Sequence, residues 1–118
     1  NALGLVLAGI ITYAFALFRA WLTAKIKSEK LRTAVEKATK VAEASMLLIQ
    51  QTFVDQLKKD GKFSKEKQLI ALEKAKLQAR KLITDETKKI IEENYGPFED
   101  WLEVQIEALI KSTKTWLG

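Results

Sequence analysis

Residues Ala2–Phe18 (ALGLVLAGIITYAFALF) carry no charge, and every Lys, Arg, Asp and Glu of the chain comes after them. A helix that is apolar all round has no face to offer water, so it needs either a bilayer or the centre of a bundle. At a rise of about 1.5 Å per residue the run spans about 26 Å. Adding Ala20, Trp21 and Leu22 brings a hydrocarbon core of about 30 Å within reach. Tyr13 and Trp21 are aromatics of the membrane–water boundary, and Arg19 can keep its stem in the apolar zone while its head reaches lipid phosphates. The sequence thus predicts a single amino-terminal transmembrane helix within 1–24. The buried central helix of a soluble bundle is the competing reading. A cleaved signal peptide fits poorly, since no basic segment precedes the run and no small-x-small cleavage pattern follows it. The chain opens at Asn1 rather than Met, so further apolar residues upstream are an expectation.

Charge resumes with a local basic excess: Arg19, Lys25, Lys27, Lys30 and Arg32 surround the single Glu29. The positive-inside rule then places the carboxyl-terminal part in the cytoplasm of a single-pass protein of the bacterial inner membrane. Each of these five groups would attract anionic lipid with about 1 kcal/mol when close to the surface. Within the span, Gly4, Ala8, Gly9, Thr12, Ala16 and Ala20 supply small or hydroxylic side chains. Gly4–Ala8 and Ala16–Ala20 match the small-xxx-small spacing that lets membrane helices approach closely. Lipid-facing filler is the plainer reading of the same residues.

The remainder reads as helix throughout, an all-α chain. Leu31, Val35, Ala38, Ala42, Met46, Ile49, Phe53 and Leu57 recur at nearly the helical period. They predict an amphipathic juxtamembrane helix over 25–60, continuing the membrane helix as a rod and associating laterally through that stripe. Asp60-Gly61-Lys62 stops it, with Gly61 as the left-handed cap residue. The region 61–118 is expected to fold as a cytoplasmic helical hairpin or small bundle. In it Ser64 caps a helix striped with Leu69, Leu72, Ala75, Ala79 and Leu82. Thr84 or Asp85 caps a short third helix, which Asn94-Tyr95-Gly96-Pro97 closes. The last helix carries Phe98, Trp101, Leu102, Ile106, Leu109 and Ile110 on one face, and Lys111, Lys114 and Trp116 would then fray or touch a membrane surface.

Chemistry is hard to place on this chain. It has no Cys and no His, which removes thiolate ligands, the commonest general base and the commonest transition-metal ligand. No catalytic residue, cofactor or metal is expected. The acidic pairs Glu92-Glu93 and Glu99-Asp100 are sequence neighbours that diverge on a helix, so neither forms a prepared dyad. Ser45 and Thr52 lack a base. Its basic residues are 17 Lys and three Arg, the lysines interleaved with glutamates, a solvated helix surface rather than a nucleic-acid reader. No ionisable group lies inside the run, against a selective ion path.

The segments Phe53–Lys67 (FVDQLKKDGKFSKEK), Ala71-Leu72-Glu73-Lys74-Ala75, Ile91-Glu92-Glu93-Asn94-Tyr95-Gly96 and Trp101–Ala108 (WLEVQIEA), placed behind one amino-terminal span, resemble phage holins of the LL-H type, holin superfamily 6. The resemblance covers most of residues 2–110. It implies accumulation in the bacterial inner membrane, homo-oligomerisation, and lesions or pores that release a cell-wall hydrolase or collapse the proton gradient during host lysis. One span departs from the two or three of many holins. A second reading is a membrane-tethered helical adaptor or structural subunit of a phage-tail-like or secretion assembly. A third is a soluble bundle with nucleic-acid affinity.

Overall fold

The computed structural model describes the backbone of residues 2–113 and 116 and the side chains of residues 13–112 and 116. Among the described residues every regular element is helical. Helix α1 covers Ala2–Ala24, α2 Glu29–Ile49, α3 Asp55–Lys59, α4 Lys65–Leu82, α5 Asp85–Tyr95 and α6 Phe98–Thr113, with a π-helical turn, Gln50–Val54, joining α2 to α3.

The caps explain most boundaries. Side-chain oxygens of Ser28, Ser64 and Thr84 accept hydrogen bonds from the backbone N–H groups of Leu31, Lys67 and Thr87, opening α2, α4 and α5. Each satisfies a donor that the first helical turn leaves unpaired. Gly61 closes α3 at φ 69°, where the backbone N–H of Lys62 donates to the carbonyl of Leu57, a left-handed ending that glycine adopts without steric cost. Gly96 sits at φ 87°, ψ −157°, a region essentially closed to other residues, and lets the chain reverse into α6. There the Glu92 carboxylate reaches across the turn to accept from the backbone N–H of Phe98 at 3.1 Å.

The expected continuous rod from α1 into α2 is broken. After Ala24 the chain turns, Ser28 begins a new helix, and the Arg32 guanidinium donates to the Ile26 carbonyl at 3.1 and 3.2 Å, tying the turn shut. Ser28 supplies an alternative partner for the backbone at the point where continuous helix would otherwise run.

Helix α2 is the hub, packing against α1, α4, α5 and α6. Its Val35, Ala38, Ala42 and Met46 are inaccessible to solvent, as are Ala71, Ala75 and Ala79 of α4. Alanine on both faces allows the two backbones to approach closely, where leucines would hold them apart. The expected α4 stripe is therefore corrected. Leu72, Ala75 and Ala79 are buried, joined by Ala71 and Ile83, whereas Leu69 and Leu82 are exposed. On α6, Phe98, Trp101, Leu102, Ile106 and Leu109 are buried and Ile110 packs against the core. Trp101 lies between Phe98 and Tyr95, ring centroids at 5.9 and 6.3 Å, offset arrangements that favour aromatic pairs. Trp116 is also buried in this core, contrary to the expected fraying or membrane contact; Lys114 lies outside the described residues.

The π turn shifts the phase of the stripe. Thr52 Oγ1 donates back to the Leu48 carbonyl at 2.8 Å, and the backbone N–H of Asp55 reaches the carbonyl of Gln50, five residues back. One extra residue in the turn carries Val54 into the core after Ile49, where the sequence period places Phe53.

Candidate membrane-facing surface

Helix α1 has two different sides from Tyr13 onward. Phe15 is buried, and Phe18, Leu22 and Ile26 pack against the core that α2 and α6 share. The opposite side carries Tyr13, Leu17 and Trp21, which are 66%, 54% and 61% exposed. These stand four residues apart, one above the other along a helix. Ala108 and Ser112 of α6 border the same shallow groove beside Ala14, Leu17 and Phe18. At the foot of the face the Lys25 ammonium lies 5.3 Å from the Trp21 ring centroid, a cation–aromatic contact suited to the headgroup level.

Arg19 does not extend toward solvent. Its Nη1 donates to Glu43 Oε1 of α2 at 2.5 Å, with the Arg19 and Glu43 side chains 23% and 11% exposed. Burial raises the Glu43 pKa above the ordinary glutamate value, although the Arg19 hydrogen bond, the Arg19 charge and the Lys40 charge all pull it down. A buried pair of this kind costs desolvation on both sides and fixes orientation more than it adds stability. It fastens α1 to α2.

The expected basic cluster is thus divided. Arg19 is turned inward to Glu43, away from the expected lipid contact, while Arg32, though exposed, donates to carbonyls of the α1–α2 turn. Lys25, Lys27 and Lys30 remain exposed around the α1–α2 turn. Of the residues expected to form the span contact, Tyr13, Ala20 and Trp21 are exposed and Ala16 is half-buried, while the side chains of Gly4, Ala8, Gly9 and Thr12 lie outside the described residues. Among the described residues no helix is long and apolar enough to cross a membrane.

The oligomer stripe on α2 is also corrected. Val35, Ala38, Ala42, Met46 and Ile49 are covered by the chain's own helices, and Leu31, Phe53 and Leu57 are half-buried. A stripe whose surface is already removed from water has none left to drive association. One member of each acidic pair holds structure: Glu92 caps α6, and Glu99 Oε1 forms an ion pair with the Arg80 guanidinium, Nε at 2.7 Å. Lys76 bridges Glu73 and Glu103 at 3.2 and 3.5 Å. Burial lowers the Lys76 pKa, but Glu73 and then Glu103 outweigh it, leaving the group above its ordinary value.

One surface escaped the sequence reading. The outward side of α4 exposes Leu69 and Leu77 beside Ile70, between Glu66 and Arg80. The signal lies in Leu69, Ile70 and Leu77 at helical spacing, but the stripe that groups Leu69 with Leu72, Ala75 and Ala79 hides it. No family model, curated protein or solved structure matches the chain.

Proposed function

We propose that this chain is a holin-like protein of the bacterial inner membrane, single-pass with its carboxyl-terminal bundle in the cytoplasm. It assembles with copies of itself into lesions or pores that serve host lysis or release a cell-wall hydrolase. The observation that supports this reading is the exposed Tyr13–Leu17–Trp21 face of α1, whose one charged side chain, Arg19, turns to Glu43 of the bundle, and which Lys25 closes at its foot. An apolar face of this kind is stable against lipid and costly against water.

Length adds a condition. Residues 2–12 as helix span about 16 Å, half of a hydrocarbon core of about 30 Å. Crossing must therefore also use the helix from Tyr13 to Leu22. Phe15, Phe18 and Leu22 cannot face lipid and pack on α2 and α6 at once. A spanning α1 leaves the bundle and separates Arg19 from Glu43; a docked α1 lies with Tyr13, Leu17 and Trp21 against the membrane surface.

Inducible expression of the full chain in bacteria tests the function. Collapse of membrane potential and loss of viability after induction are expected, and Leu17→Lys should abolish both while the bundle stays folded. Unchanged potential and viability at high expression would overturn the proposal. The tethered adaptor is the alternative, and cross-linking in native membranes separates the two: homo-oligomers support the holin reading, one dominant foreign partner the adaptor.

A further inference from the structure

We propose that the outward face of α4 pairs with the same face of a second copy, antiparallel, about a two-fold axis passing between Glu73 and Lys74. The face consists of Glu66, Leu69, Ile70, Glu73, Lys74 and Leu77, with Arg80 and the exposed Lys81 at its end. Leu69 is 64% and Leu77 48% exposed, and among the described residues only those of α4 line this groove.

Charge selects the occupant. The acidic Glu66 stands at one end of the face and the basic Arg80 and Lys81 at the other, with Glu73 and Lys74 adjacent at its middle. Reversing one copy on the other sets Ile70 against the partner's Leu77. It brings Glu66 toward the opposite basic end and Glu73 toward the opposite Lys74. A two-fold interface requires a patch complementary to itself; reversal sets Glu66 and Glu73 against opposite charges, and Lys67 against Arg80 is its one like-charge position. A parallel pairing would set Glu66 against Glu66 and the basic ends against each other, a like-charge juxtaposition that disfavours it. The neighbouring contacts are compatible: Glu73 and Arg80 hold Lys76 and Glu99 within their own chain, and Lys74 lies 5.0 Å from the Phe53 ring centroid. This pairing supplies one contact for the homo-oligomer of the proposed function, yet it depends only on α4 and stands whether or not the chain forms lesions.

The cysteine-free sequence makes the test direct. Full-length chains carrying Ile70→Cys and Leu77→Cys are mixed in the membranes or detergent that hold the protein, then oxidised. Cross-linking in the mixture is expected, together with self-cross-linking of Glu73→Cys. Glu66→Cys alone should fail, because its two copies would lie about 22 Å apart along the paired helices. Leu77→Glu in the background of the cross-linking pair at Glu73 removes both symmetry-related Ile70–Leu77 contacts and should reduce the product at least about tenfold. Strong Glu66→Cys self-cross-linking would show a parallel arrangement and overturn the proposal, as would absence of product from both the mixture and Glu73→Cys. Cross-links without loss of viability on induction would retain the pairing and reject the lytic function; lysis without cross-links would do the reverse.

Discussion

Helices α1 and α2 meet through apolar side chains and the Arg19–Glu43 pair, yet they differ in what lies behind the contact. The inward side of α2 is covered by its neighbours, while Glu36, Lys37 and Lys40 occupy its outer side. Such a helix is fully accounted for by a bundle in water. Helix α1 docks through Phe15 but turns Tyr13, Leu17 and Trp21 outward, with no charge between Tyr13 and Phe18. The bundle covers one side of α1 and leaves a second apolar side that water does not favour. A helix apolar on both sides needs two apolar environments, and this bundle offers only one.

Substitutions on the two sides of α1 and on α2 should separate them. The largest effect is expected from Phe15→Ala and Met46→Ala, both truncating buried side chains; losses of about 3–5 and 2–5 kcal/mol respectively should appear in urea unfolding followed by circular dichroism. Leu17→Ala on the exposed side of α1 should stay within about 0.5 kcal/mol of the parent. A Phe15→Ala loss as small as that of Leu17→Ala would mean that α1 is not held by the core.

The tether between the two helices comes next. Arg19→Ala leaves Glu43 buried without its partner and should cost about 1–3 kcal/mol in the same assay. The sign of the pH dependence follows from Glu43, whose pKa burial has raised. The folded chain then holds that proton more tightly than the unfolded chain, so the Glu43 contribution is greatest at low pH. It declines as pH rises from the ordinary glutamate value through the raised one. Unfolding midpoints measured from pH about 4 to 7 should show this decline, and Glu43→Gln should remove it; an unchanged slope in the variant would place the dependence elsewhere. The smallest effect concerns Thr39 of α2, fully buried with its hydroxyl unpartnered. Thr39→Val keeps the shape, removes the unsatisfied group and should raise stability by up to about 1 kcal/mol, visible as a higher midpoint.

The sequence made the helices legible more readily than their neighbours. Ser64, Thr84, Gly61 and the α6 face from Phe98 to Leu109 stand as read, because caps and a broad aromatic stripe act locally. The α2 stripe, expected to associate with another copy, is covered by the chain's own helices, since periodicity shows that a face is covered and not by what. On α4 the leucines outweighed Ala71 and its neighbours in hydrophobicity, yet close packing on α2 favoured the smaller side chains. Ser28 gave a cap signal directly before α2, hidden by the absence of proline or glycine in the same stretch. The Arg19–Glu43 pair joins residues 24 apart in sequence, and no local pattern announces it.

The most direct measurement places a spin label or environment-sensitive fluorophore at Leu17→Cys, and separately at Lys37→Cys on α2, in full-length chains bound to vesicles of anionic lipid. The exposed apolar side of α1 as a lipid contact predicts that the label at 17 meets a quencher dissolved in the hydrocarbon and is shielded from an aqueous one, while the label at 37 does the opposite. Equal access of the aqueous quencher to both positions would contradict it.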